Sequence, residues 1–408
     1  MAARIKIPPG WDKVALGDVL DQRSELIQPE GNGNTRFVGL EHIGSGDPAL
    51  YSWASDTDVK STKFRFYEGD LLYGKLRPYL DKAVEASFEG ICSTDILALI
   101  PKIERESTKY LLYTIHSRPF IQHAISHTSG TNHPRTSWKA ISQYEFPLPP
   151  KKERQKIGIV LSTVDSAIQK SKVAAEETEL LKQGVMQELL TKGIGHTNFR
   201  IDSRLSRVPS VWETGTFSDI ADVNPKTDTS HLSDDSCVTF LPMPNVGEDG
   251  HIVRKETKHY SEVRNGYTTF IENDVLFAKI TPCMENGKGA LATDLVNGVG
   301  FGSTEFHVLR AKSHSDPNFI FHLSRYRVFR SAAERFMTGS AGQQRVSARV
   351  FELYPIPVIP HKEQVSIATI LSTIDRKLDL QRQRTTALEQ LKQGLMNDLL
   401  TGKRRVAA

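Results

Sequence analysis

Cysteine is scarce in this chain. Cys92, Cys237 and Cys283 stand far apart among 408 residues. They offer neither a disulfide framework nor the ligand spacing of a zinc site, and read as reduced thiols of a cytoplasmic protein. Long apolar runs are missing too. No stretch approaches the roughly 18 uncharged apolar residues of a membrane span. Met1-Ala2-Ala3-Arg4-Ile5-Lys6 has no apolar segment of the kind a secretory signal needs. Neither sign of charge dominates, since 52 Lys and Arg oppose 48 Asp and Glu for a net charge of +4. That balance is compatible with nucleic acid without pointing to it, so the placement of basic residues matters more than their number.

Signatures of catalysis are absent as well. Asn286-Gly287-Lys288-Gly289 lacks the upstream Gly and the following Ser or Thr of a phosphate loop. No dinucleotide fingerprint or nucleophile elbow occurs. Asn224-Pro225-Lys226 lacks the second Pro and the aromatic with which amino-methyltransferases hold a flipped base. His42, His116, His123, His127 and His133 show no metal spacing. No catalytic residue and no metal ligand is therefore assigned.

What the chain has is a duplication. Leu181-Lys182-Gln183-Gly184-Val185-Met186-Gln187-Glu188-Leu189-Leu190-Thr191 returns as Leu391-Lys392-Gln393-Gly394-Leu395-Met396-Asn397-Asp398-Leu399-Leu400-Thr401, displaced by 210 residues. Leu161-Ser162-Thr163-Val164-Asp165 returns as Leu371-Ser372-Thr373-Ile374-Asp375 at the same displacement. Upstream the match continues with drifting offset: Trp11 and Trp212, Gly69-Asp70 and Asn273-Asp274, Ser93-Thr94-Asp95 and Ser303-Thr304-Glu305, Phe146-Pro147 and Tyr354-Pro355. This is a whole module repeated, not a solenoid unit. Loops absorb length changes. A helix in a packed seam does not, because one added residue turns its apolar stripe by about 100°.

The segments of fixed offset read as long helices. Ile157, Leu161, Val164 and Ile168 step by helical spacings, as do Ile367, Leu371, Ile374 and Leu378. Leu181, Val185 and Leu189 match Leu391, Leu395 and Leu399, and Gly193 and Gly402 stand where C-caps would. A helix of this size is about 57 Å long at 1.5 Å per residue, and its narrow stripe needs a partner. All fourteen apolar residues are assigned to helix-pair packing, in an antiparallel coiled coil if the halves are two-fold related. The fold class is α+β. Residues 1–150 and 196–358 form two similar mixed modules with pseudo-two-fold symmetry, separated by long helices within 151–195 and 359–408.

The Pro-rich close of each module, the helix starts at Glu153-Arg154-Gln155 and Glu363-Gln364, and the repeated Leu-Lys-Gln-Gly helix end together resemble the specificity (S) subunit of type I restriction-modification enzymes. The likeness covers nearly the whole chain. It implies two target-recognition domains, each reading one half of a split site in double-stranded DNA. The helices would set the spacing and dock two modification (M) subunits, through which restriction (R) subunits join. S-adenosylmethionine, ATP and Mg would belong to those partners, and this chain would bind none of them.

Base reading needs amides and forked donors, and phosphate holding needs Lys, Arg and small hydroxyls. Matched positions supply them: His42 and Asn245; Lys75 and Arg77 with Lys279 and Thr281; Ser93 and Thr94 with Ser303 and Thr304; and the Gly-rich loops carrying Thr131, Asn132, His133 and Arg135, or Ser340, Gln343, Gln344 and Arg345. Loop chemistry differs between the halves, so an asymmetric target is expected. The rival readings are a coiled-coil scaffold with duplicated protein- or glycan-binding modules, and an enzyme with an unrecognised site.

Overall fold

A computed structural model describes residues 7–340 and 342–406. The opening hexapeptide and Ala341 of the second Gly-rich loop lie outside the described residues. By contact the chain divides into two units, Met1–Ala174 with Gln381–Ala408, and Ala175–Leu380. Each contains one module and one half of each long helix, Lys151–Lys192 and His361–Leu399.

The first module is built on two larger sheets, of four and five strands. One has the strand order Leu20–Gln22, Ile96–Pro101, Leu71–Gly74, Ala83–Glu85, all antiparallel. The other orders Leu26–Ile27, Lys63–Phe66, Gly90–Cys92, Arg36–Val38, Ala54–Ser55, with Arg36–Val38 parallel to Gly90–Cys92. The second module repeats the plan. Its antiparallel sheet runs Ala221–Val223, Phe306–Ala311, Val275–Ala278, Gly289–Leu291, and its other sheet pairs Cys237–Leu241 parallel to Val299–Gly302. Alternation along Leu71–Gly74 sends Leu72 into the core between the sheets and Tyr73 toward the helical core. The Pro-rich close of each module is a short strand. Glu145–Leu148 pairs with Asp12–Ala15, and Ile356–Val358 with Glu213–Gly215. Each has a single neighbour, which is where a sheet tolerates proline.

The helical spacing of apolar residues over 110–123 and 318–329 spans two helices in each module, not one. Thr108–Ile115 is followed by Arg118–Ser126, where the Ser117 side chain caps the new start and Pro119 opens it. Pro317–Arg325 and Arg327–Glu334 meet at Tyr326, whose extended backbone ends one helix and begins the next.

Trp11 and Trp212 are core residues, each tied to the start of a long helix. Trp11 Nε1 donates to Glu153 Oε2 at 3.0 Å, and Trp212 Nε1 donates to Glu363 Oε2 at 3.0 Å. The segment after a long helix closes the same carboxylate: Arg405 Nε reaches Glu153 Oε1 at 2.6 Å, and His196 Nε2 lies 2.8 Å from Glu363 Oε1.

Within each unit the helix segments run antiparallel. Asp165 pairs with Lys392 and Lys172 with Glu389 in one; Asp375 pairs with Lys182 in the other. Ile157 and Leu161 join Met396 and Leu399 in the first module's core, while Ile367 and Leu371 join Met186 and Leu190 in the second's. Ile168 and Leu378 are buried, and Val164, Val185, Leu189, Ile374 and Leu395 are partly so. Leu181 and Leu391 correct the expected stripe: they are 54% and 50% exposed. The inward position is the next residue, Lys182 or Lys392, one step of about 100° around the helix.

Those lysines are buried because each is paired. Lys182 Nζ lies 2.5 Å from Asp375 Oδ1, and Lys392 Nζ lies 2.7 Å from Asp165 Oδ1. Each carboxylate also meets its own module, through Tyr113 Oη donating to Asp165 at 2.5 Å, and through His322 Nδ1, 3.8 Å from Asp375. Removing one charge of a buried pair leaves the other desolvated and alone, at a cost of about 3–5 kcal/mol. Lys392→Met is expected to lose about that much in urea unfolding, and Lys392→Met with Asp165→Asn to recover most of it. A double variant no better than the single one would refute the pairing as the cause.

Burial pulls His322 down to about 4, so it stays neutral beside the Lys182–Asp375 pair. Unfolded, it would take up a proton near its ordinary 6.5. Stability from His322 is therefore full above about 6.5 and is lost as pH falls toward 4. Urea midpoints at pH 7 and pH 5 are expected to differ less in His322→Tyr, which copies Tyr113, than in the parent.

Candidate nucleic-acid interface

In each module four segments meet at one place. Two leave the ends of the parallel strand pair, carrying Gly39–His42 and Ser93–Asp95 in the first module and Pro242–Asn245 and Ser303–Glu305 in the second. A third follows the central antiparallel strand with Lys75 to Arg77, or Lys279 to Thr281. The Gly-rich loop is the fourth. Lys75 N–H donates to Asp95 O at 2.9 Å, and Arg77 N–H to Pro134 O at 2.8 Å; Lys279 N–H donates to Glu305 O at 2.9 Å, and Thr281 N–H to Gln344 O at 2.9 Å. Leu76 bridges to Arg135, and Ile280 to Arg345. One backbone crossing is thus built twice.

The side chains at this crossing divide by what they already hold. His42 Nδ1 accepts from Gly39 N–H at 2.8 Å, and Asn245 Nδ2 donates to Glu256 at 3.0 Å. Ser93 and Ser303 hydroxyls accept from the amides of Asp95 and Glu305 at 3.3 and 3.2 Å, so they cap turns. Thr281 donates to Glu285 at 2.9 Å. Arg77 sits in the left-handed region at φ 53°, with its Nε buried and without a partner. Thr94, Thr131, Asn132 and His133 are exposed, as are Thr304, Ser340 and Gln343; Gln344 is half-buried.

The two expected arginines are engaged. Arg135 Nε and Nη2 donate to the two Asp95 oxygens at 2.7 and 3.1 Å. Arg345 Nε and Nη2 donate to Glu305 at 2.9 and 2.8 Å. The Arg135 fork, with Lys75 and His133 adding to it, holds the Asp95 carboxyl below its ordinary range; Arg345, then Lys279, does the same for Glu305.

Three buried or half-buried partners were missed by sequence reasoning. Arg23 forks onto Asp70 at 2.8 and 3.0 Å, and Arg310 onto Asp274 at 2.9 and 2.8 Å. The aspartates align between the halves. Their arginines come from unrelated strands, which leaves no signal. Arg330, buried, donates to the carbonyls of Ser324, Met284 and Lys288 and so braces the turn below Lys279. Among the described residues no group of three or more His, Cys, Asp or Glu is placed to hold a metal ion.

The family model of the type I restriction modification DNA specificity domain matches residues 8–177 and 209–390, once over each copy of the repeat. The chain belongs to this family. Among similar proteins, the type I restriction enzyme EcoEI specificity subunit of Escherichia coli is 38% identical over 224 residues, 53% of this chain and 36% of its own length. The EcoAI specificity subunit of the same organism is 36% identical over 235 residues, again 36% of its length. The chain thus spans about a third of either relative. The MjaVIII specificity subunit of Methanocaldococcus jannaschii is 24% identical over 422 residues, covering 98% of this chain and 95% of that one. Two solved chains share the fold. An S subunit from M. genitalium has a TM-score of 0.60 at 12% identity over 98% of both chains; a chain of a type I R-M system has 0.57 at 18%, covering 98% of this chain and 100% of that one.

The candidates for base reading are the loop residues Thr131, Asn132, His133, Ser340, Gln343 and Gln344, all exposed except the half-buried Gln344. A bidentate amide-to-base pair is worth about 1–3 kcal/mol of discrimination. Gln343→Ala with Gln344→Ala is expected to relax selection in one half-site only, read by selecting duplexes from a randomised pool.

Proposed function

We propose that this chain is the DNA-reading subunit of a type I restriction-modification complex, and that each module reads one half of a split, asymmetric site. The observation that carries the reading is the crossing made twice from the same backbone, with Thr131, Asn132 and His133 exposed in one copy and Ser340 and Gln343 in the other. A common frame with different exposed amides suits two docking events of one kind on two different sequences. Lys75 and Lys279, at equal places beside the loops, serve the phosphates common to both half-sites.

The partner reading rests on a second repetition. In the first unit a groove of about 1110 Å³ is lined by Arg118, Gln122 and Tyr144 on one side and Gln393, Met396 and Asn397 on the other. In the second, a groove of about 880 Å³ is lined by Arg327, Ser331 and Tyr354 and by Gln183, Met186 and Gln187. Equivalent grooves suit two copies of one partner, the methyltransferase (M) subunits, through which restriction (R) subunits join. S-adenosylmethionine, ATP and Mg act in those subunits. This chain contributes no catalytic group; it supplies position. No helix among the described residues is long and apolar enough to cross a membrane.

The long helices act as the spacer between half-sites. One heptad inserted in both helices, after Ala174 and after Gln383, preserves both lysine–aspartate pairs and adds about 10 Å. At about 3.4 Å per base pair the preferred gap is expected to widen by about three base pairs, with both half-site sequences unchanged. Selection of altered bases at the old gap would defeat the spacer role.

A further inference from the structure

Arg135 and Arg345 are the obvious groups to aim at DNA, yet neither has its fork free. In both, Nε and Nη2 are taken by a carboxylate, Asp95 or Glu305. In both, Nη1 turns back to the carbonyl two residues earlier, His133 O at 3.4 Å or Gln343 O at 3.3 Å. Three of the five N–H groups of each guanidinium are therefore engaged within the protein, while the side chains stay 43% and 45% exposed. The loops they close need closing. Gly130 stands at φ 89°, Gly339 at φ 124° and Gly342 at φ 83°, backbone that costs much entropy to fix. The carboxylates sit on the turn that leaves the parallel strand pair, next to the sheet.

The repeat separates roles further. If the two half-sites differ, a device identical in both modules cannot read the difference. The arginine–carboxylate fork is such a device, kept in both while Asn132-His133 and Gln343-Gln344 diverge. We propose that Asp95–Arg135 and Glu305–Arg345 are latches, and that the carboxylates and arginines are positioning residues. They hold each Gly-rich loop in the shape that presents its amides, and they do not themselves touch the DNA. This rests on the DNA-reading function proposed above.

The two possibilities differ in sign. For a latch, losing either partner loosens the loop, so both changes weaken binding and the second adds nothing to the first. For an arginine on phosphate, removing the arginine weakens binding while removing the nearby negative charge strengthens it. The full chain, assembled with its partner subunits, is titrated with duplexes carrying both half-sites, at several salt concentrations. Asp95→Asn, Arg135→Gln and the double variant are each expected to lose about tenfold in affinity. Their salt slopes should match the parent's, with selection at the other half-site unchanged. Glu305→Gln and Arg345→Gln should mirror this at the second half-site. Tighter binding by Asp95→Asn, with weaker binding and a salt slope lower by about one for Arg135→Gln, would overturn the proposal.

Hydrogen exchange on the free protein tests the latch without DNA. Amides of residues 128–135 are expected to exchange faster in Asp95→Asn and in Arg135→Gln, and to equal extents. Unchanged exchange would also overturn it. A parent complex that shows no salt-dependent preference for any duplex would sink the DNA-reading function instead, and the exchange result would still judge the latch.

Discussion

A buried ammonium against a half-buried carboxylate, made once in each unit, is the contact on which the rest of this fold depends. An isolated charge in such a place is too costly to keep, so Lys182 must find Asp375 and Lys392 must find Asp165. A hydrophobic seam tolerates sliding by a turn or so; a charged pair that must meet does not. The pair fixes the register of the antiparallel segments. In the first unit it is also tied to the module that rests on the helices, through the Tyr113 hydroxyl. This is the physical reason why the two halves keep a constant offset from Leu161 and Leu371 onward, while the modules drift.

Above that base the molecule separates frame from reader. The parallel strand pair, the carboxylate turn and the strand bearing Lys75 or Lys279 are common to both modules, and the loop tips are not. Such a division lets one part change without disturbing the other. Asn132 can be replaced without touching the sheet, because its side chain is exposed, whereas Asp70 cannot, because Arg23 and the Tyr67 amide both depend on it.

The duplication, the long helices and their antiparallel pairing were legible in the sequence because each leaves a repeated or periodic trace. Leu181 and Leu391 misled for a definite reason: an apolar residue was taken for the inward one beside a lysine, and a lysine is inward only when something unseen neutralises it. The breaks at Ser117 and Tyr326 were hidden because short apolar stretches on both sides keep helical spacing. Strands of two to four residues such as Arg36–Val38 and Gly90–Cys92 pair across long separations, which periodicity cannot report. The loop arginines were correctly found and incompletely understood. Composition gave the cation, and only the fold brought Asp95 and Glu305 against it.

One unit is a single continuous run, Ala175–Leu380, and the other is assembled from the two ends of the chain. During synthesis from the N-terminus, the first module emerges first and yet waits longest. Met396, Leu399 and Leu400, which complete its core, and Arg405, which closes Glu153, leave the ribosome only after the whole of Ala175–Leu380. The later-made unit closes earlier. A nascent chain with residues up to 380 outside the ribosome would carry one finished half and one with its apolar underside bare, a natural substrate for chaperones.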